Sequence, residues 1–392
     1  MAGTPHAVEF ARRFLPRAAS PPSLAAMKLL FLSSYAHLAL DRAETRVSGG
    51  AELQVALMAR ELTARGHDCV LVCGDHGQAD DRVLQGVRAR VGGKFQTGGL
   101  ADTLRAVPQV FRIIAEERPD YTFVFGWTTW LFFLLWPRWR GHTRLGFTCM
   151  LDTEVNGEFR RENPMRGALF EQGIRRADVR HAITDYEVAC FGEMGLACTL
   201  YRPLVMPRTA PRAGKKDIDF LWVARCQEIK RPHAFLDLCA ALPEARCVMI
   251  SPNENAVLWE SIAARAREMK NVQFIERVPY REVQSWYDRA EVFVNTSTWE
   301  GFANSFIQAG QGGAAILSLN VNTDDLLTRF DAGICAVDDA VRFVEAARRL
   351  FQDANLRREM QAGAERFVAE WHDNTCNADL FLSALSVTKP RR

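Results

Sequence analysis

From residue 28 onward, short apolar runs alternate with longer segments of helical periodicity, and this alternation restricts the fold more than any other feature. A strand, a helix and a further strand in succession read as a parallel βαβ unit, with helices covering both faces of the sheet. The runs fall at 28–33, 69–73, 121–125, 144–148 and 179–183. Between the first two, residues 51–65 place Leu53, Ala56 and Leu57 on one stripe, and Gly66 supplies a helix stop. A second series at 218–223, 246–250, 272–275, 292–295 and 314–317 follows a stretch with Pro203, Pro207, Pro211 and Gly214 that has the composition of a linker. The expected class is α/β. The 392 residues exceed the roughly 250 at which one core stops growing. The division expected is an extension at 1–26, Rossmann-like domains at 27–207 and 208–370, and a C-terminal helix and tail at 371–392. Facing domains of this kind bind ligands in a cleft between the carboxyl ends of their strands.

A balance of 49 basic against 47 acidic residues argues against a polyanionic partner, so no nucleic acid is expected. Ten cysteines without a Cys-x-x-Cys pair fit core packing in a reducing cytoplasm and no metal site. Arg12-Arg13 is followed too soon by Pro16 and Pro21 to open an export signal. Residues 123–139 look membrane-like, but Gly126, Thr128 and Thr129 interrupt a run that must reach about 20 residues to span a bilayer. They read as a strand and a short buried helix, or as a helix lying on a bilayer surface with help from Arg138, Arg140 and Arg144. From 138 to 180, nine basic residues face six acidic ones.

Four features fall at strand ends. Gly49 and Gly50 lead into a helix; lacking β-carbons, they either form a tight turn or let backbone N–H groups approach an anion. Arg225 and Lys230 lie on a strand-to-helix loop, either as solvated charges or as a clamp on a diphosphate. Glu300 and Gly301, followed by Phe302, Ala303 and Asn304, end another strand, and Gln308 lies about two helical turns beyond Glu300.

These residues make the chain resemble retaining glycosyltransferases of the GT-B fold, in particular the large family 4, over nearly all of 27–385. The resemblance implies that Gly49-Gly50 lie near the donor phosphates and sugar, that Arg225 and Lys230 bind the diphosphate, and that Glu300 touches the donor sugar. It puts Gln308 at the ribose, backbone near Arg277 and Val278 at the base, and the segment from 371 in a helix returning to the first domain. It further implies a nucleotide-sugar donor, no cofactor or metal, and a glycan or lipid-linked acceptor at the cytoplasmic membrane face. The chain departs from the family at Gln308, where Glu is common, and at Gly126-Trp127, where many members carry His. A catalytically silent nucleotide-sugar-binding subunit is the competing expectation; an epimerase or phosphorylase on the same fold is a third. Asp152 is either a helix cap or a group facing the acceptor. Asp217 and Asp219 open a strand at the end away from the cleft, the wrong end for a metal site there.

Overall fold

The computed structural model describes residues 25–41, 49–95, 100–208, 211–212 and 214–385; most of the expected extension, including Arg12-Arg13, lies outside them. The first sheet comprises β1 (Lys28–Leu32), β2 (Asp68–Cys73), β3 (Arg82–Leu84), β4 (Val87–Val91), β5 (Tyr121–Phe125), β6 (Arg144–Thr148), β7 (Val179–Ala182) and β8 (Thr199–Leu200). Its order is β3-β4-β2-β1-β5-β6-β7-β8, parallel except for the β3–β4 hairpin. The second comprises β9 (Ile218–Val223), β10 (Cys247–Ile250), β11 (Val272–Ile275), β12 (Ala290–Asn295), β13 (Ala315–Ser318) and β14 (Gly333–Cys335), in the order β11-β10-β9-β12-β13-β14 and wholly parallel.

Helices on both faces explain why the central strands are almost uninterrupted runs of apolar side chains: Leu29, Leu30 and Phe31 in β1 and Phe220, Leu221 and Trp222 in β9 are fully buried or nearly so. In each sheet the chain begins in the middle, builds to one side, and then crosses to the other. The order therefore reverses between β1 and β5 and between β9 and β12, and at such points the loops diverge and leave a crevice.

Two stretches of chain cross between the halves. One leads from β8 to β9; the other lies between the helices Ala354–Trp371 and Asn374–Ser383. They are joined to each other: His372 Nδ1 lies 2.6 Å from the Pro203 carbonyl, and Asn374 accepts the Val205 N–H and donates to the Val205 carbonyl at 2.8 and 2.9 Å. The Asn374–Ser383 helix packs on the first half, where Phe381 sits among Phe31, Phe123 and His181.

The segment expected as a buried helix after β5 forms two short helices, Trp130–Phe133 and Leu135–Trp139. Trp130, Leu131 and Leu134 are buried, whereas Phe132, Trp136 and Trp139 are exposed, so the segment is buried on one side only. Among the described residues no helix is long and apolar enough to cross a membrane.

Candidate functional site

The carboxyl ends of both sheets open on one cleft of about 670 Å³. Gly126, Trp127 and Glu154 line it from the first half, and Arg225, Lys230, Asn295 and Glu300 from the second. Two loops of the second half are stitched together there. The Trp222 indole donates to Thr296 Oγ1 at 2.9 Å, the Thr296 hydroxyl donates to the Lys230 carbonyl at 2.6 Å, and the Thr298 N–H donates to the Ile229 carbonyl at 2.8 Å. Arg231, at φ +44°, donates to the Thr296 carbonyl at 2.9 Å. The loop after β9 is thereby fixed against the loop after β12, and Lys230 against Glu300.

Three donors converge on one oxygen of Glu300. Asn295 Nδ2 is 2.9 Å from Oε1, Ser297 Oγ 2.7 Å and Lys230 Nζ 3.1 Å. Asn295 is itself held, because its Oδ1 accepts the Ser297 N–H at 3.0 Å. With Oε1 saturated, and with no described residue donating to Oε2, the lone pairs of Oε2 can meet a ligand hydroxyl. Arg225 is half-exposed, 3.4 Å from Glu254, whose other oxygen accepts from Gln227 at 2.7 Å. A polyanion entering the cleft would compete with Glu254 for this guanidinium.

Two helices start at the cleft from opposite sides, Gly50–Ala64 and Asn304–Gly312, with Gly49 and Ala303 at their N-cap positions. Their first residues nearly touch: a β-carbon on Gly50 would lie 2.6 Å from Asn304 Nδ2. Gln54 donates to Asn304 Oδ1 at 3.1 Å and accepts the Leu204 N–H at 2.7 Å. Gly301 approaches the first half as closely, since a β-carbon there would lie 2.5 Å from the Met150 carbonyl. The positive ends of two helix dipoles thus face one space beside Lys230, which favours an anion; the Glu52 carboxylate lies there too, against the position that a β-carbon on Gly49 would take.

The first half contributes buried carboxyls. Glu154 accepts the Trp127 N–H at 2.6 Å and the Met150 N–H at 3.0 Å, tying together the loops after β5 and β6. Burial pushes it up to about 7 against the pull of those N–H groups. Glu187 accepts the Ile183 N–H at 2.7 Å, and burial raises it to about 8. Asp152 opens a 3₁₀ turn and is raised to about 6, first by burial and then by nearby Asp324.

Of the residues expected from sequence, Gly49, Gly50, Arg225, Lys230, Glu300, Gly301, Phe302, Asn304 and Gln308 all line the cleft. Ala303 is buried at the start of its helix. Arg277 is exposed and Val278 packs on the core; neither is among the lining residues, although both follow β11 at its carboxyl end. Asp217 and Asp219 are held by Arg289 and Arg246. Asp325 takes the N-cap position of the next helix, whereas Asp324 accepts from Arg202 of the first half at 2.5 Å. Asn295, Ser297, Glu154 and Glu187 were not anticipated. Glu187 had a readable signal, Thr184-x-x-Glu187, the capping pattern in which Thr184 accepts the Glu187 N–H at 3.0 Å.

Residues 49–203 match the family described as "Glycosyl transferase 4-like domain", and residues 217–353 match "Glycosyl transferases group 1". A Glycosyltransferase 1 domain-containing protein 1 from Xenopus tropicalis is 20% identical over 139 residues, 36% of this chain; the chain spans 40% of that relative's length. Sucrose-phosphate synthase from Thermosynechococcus elongatus superposes with a TM-score of 0.74 at 15% identity, over 91% of this chain and 98% of the other. A trehalose-6-phosphate protein from E. coli bound with UDP-2-fluoro glucose gives 0.68 at 13% identity, over 93% and 100%. A Listeria monocytogenes protein assigned as a UDP-N-acetylglucosamine 2-epimerase gives 0.63 at 14%, over 94% and 99%. These likenesses establish the shared fold, and the two domain matches establish the family: the chain belongs to the GT-B glycosyltransferases, with a glycosyltransferase 4-like domain followed by a group 1 domain.

Proposed function

We propose that the chain transfers a sugar from a nucleoside-diphosphate sugar to a glycan or lipid-linked acceptor, with retention at the anomeric carbon and without a metal ion. The observation carrying this reading is the group around Glu300: one carboxylate with a saturated and an open oxygen, a lysine against it, and two helix N-termini facing the same space. In this reading the donor's sugar hydroxyls meet Glu300 Oε2, and its diphosphate lies between Lys230, Arg225 and the amides near Gly49 and Gly50. When the bond from the anomeric carbon to the phosphate oxygen breaks, the electron pair leaves with the diphosphate, whose growing charge the fixed cations stabilise. The acceptor oxygen bonds to the same face of that carbon, and its proton passes to the departing phosphate oxygen. Gln308 offers the ribose an amide in place of a carboxylate, and the backbone at 277–278 is assigned to the base. A lipid-linked acceptor would locate the reaction at the inner face of the cytoplasmic membrane.

A catalytically silent nucleotide-sugar-binding subunit is the second reading, favoured by Gln308 and Trp127. Incubation of the purified chain with UDP-, GDP- and ADP-sugars in EDTA, read by thermal shift and nucleoside-diphosphate release, separates the two. Binding with slow release supports the transferase; binding without release, even with extract acceptors, refutes it in favour of the subunit. Inorganic phosphate yielding a sugar phosphate, or donor isomerisation without an acceptor, would move the reaction to phosphorylase or epimerase chemistry.

A further inference from the structure

Glu154 is buried, yet it lines the cleft from the first half. Both of its oxygens are in use: Oε1 accepts the Trp127 N–H at 2.6 Å and Oε2 the Met150 N–H at 3.0 Å. Trp127 follows β5 and Met150 follows β6, so a single side chain fixes the loops at two neighbouring strand ends against each other. Gly126 leaves room for it, since that residue stands at φ +73° and a β-carbon there would lie 3.3 Å from Oε1. The held loops meet the Glu300 loop of the second half: a β-carbon on Gly301 would lie 2.5 Å from the Met150 carbonyl and 3.1 Å from the Leu151 side chain.

This double grip needs an ionised carboxylate. Two N–H donors each require an oxygen, whereas a glutamine has only one and a protonated carboxyl keeps only one free of hydrogen, so either form releases one loop. Burial raises Glu154 to about 7 against the pull of the Met150 and Trp127 N–H groups. The titratable groups around it are Cys149 on the loop after β6 and Glu187 on the helix Asp185–Glu193, with Asp152 beyond Glu187. The form that grips both loops is therefore populated above about pH 7 and lost below it.

We infer that Glu154 is a positioning residue: as a carboxylate it holds the loops after β5 and β6 in the register that presents Trp127 and Met150 to an acceptor opposite Glu300. It acts through the two loop amides, and it rests on the proposed transferase for the reaction it serves.

The first test needs no substrate. In hydrogen–deuterium exchange of the full chain, the Trp127 and Met150 amides should exchange about tenfold or more faster in Glu154→Gln. Glu154→Asp, which keeps two oxygens on a shorter stem, should restore part of the protection. The parent alone supplies the same test if Glu154→Gln does not fold, because both amides should lose protection, relative to their intrinsic rates, as the pH falls through about 7. The second test is nucleoside-diphosphate release from the donor that the panel identifies, with and without extract acceptors. Glu154→Gln should lower acceptor-stimulated release by about 10²-fold, the cost of roughly an ångström of misplacement. Donor affinity by calorimetry and acceptor-free release should change less than about twofold. The parent's acceptor-stimulated release should carry an acid limb near pH 7 that the variant lacks. Unchanged protection of both amides, in the variant and in acid, would overturn the inference. So would a parallel fall in donor affinity, acceptor-free release and melting temperature, which would make Glu154 a residue of general stability. Amides that respond as expected in a parent that releases no nucleoside diphosphate would leave the grip on the loops standing and overturn the proposed function alone.

Discussion

Ser297→Ala isolates the work done on Glu300. The substitution removes one hydroxyl, 2.7 Å from Glu300 Oε1, and leaves the Ser297 N–H on Asn295 Oδ1 intact, so the loop keeps its backbone anchor. A hydrogen bond to a charged group contributes about 1.5–3 kcal/mol. Asn295 and Lys230 still hold Oε1, at 2.9 and 3.1 Å, which argues for the lower part of that range. If Oε2 meets the donor sugar, the loss falls on transition-state positioning, and kcat/KM should drop roughly 10- to 30-fold. The assay is nucleoside-diphosphate release with whichever donor the panel identifies, beside a thermal melt. A double-mutant cycle with Glu300→Gln supplies the control: if Ser297 acts through Glu300, its substitution in the Gln background should cost little. A loss below about twofold, full additivity in the cycle, or a parallel collapse in melting temperature would refute the reasoning.

Lys230→Ala should lower turnover by about 10²–10³-fold, as removal of a charge-stabilising donor does, while the melting temperature changes little; equal losses of activity and stability would count against the assigned role. Gly50→Ala forces a β-carbon to 2.6 Å from Asn304 Nδ2, so nucleotide affinity measured by calorimetry should fall, and Asn304→Ala in the same chain should restore part of it. Burial raises Glu187 to about 8 from an unfolded value of 4.5. The folded state therefore holds its proton more tightly, and the stability tied to this group is complete below pH 4.5 and lost as pH rises through about 8. Melting curves from pH 5 to 8 should show a smaller decline in Glu187→Gln than in the parent, and identical slopes would contradict the assignment.

Most of both sheets was legible because buried parallel strands are nearly continuous apolar runs; the five strands expected in the second half differ from those observed by no more than two residues at their ends, whereas the short edge strands β8 and β14 were not expected. The β3–β4 hairpin was not legible. Val87–Val91 reads Val-Arg-Ala-Arg-Val, and its arginines look like a solvated surface until Glu117, far along the chain, accepts from both Arg88 and Arg90. Its turn did leave a trace in Gln85-Gly86, both at positive φ, as tight hairpins require. In the cleft, glycines and charged residues at strand ends could be read from local chemistry. Asn295 and Ser297 could not, because their role depends on where Glu300 folds back. Glu154 was hidden for a related reason: it holds the N–H of Trp127, a partner 27 residues away on a different strand end.

The two crossings between the halves, laced together by His372 on Pro203 and Asn374 on Val205, have a mechanical consequence. A single connecting strand acts as a swivel, free to turn about its own length. Two adjacent strands bonded side by side act as the leaf of a hinge, which bends readily across its width and resists shear and twist. Any opening of the cleft would thereby be channelled into one rotation, along which the approaches of Asn304 to Gly50 and of Gly301 to the Met150 carbonyl would part and re-form together.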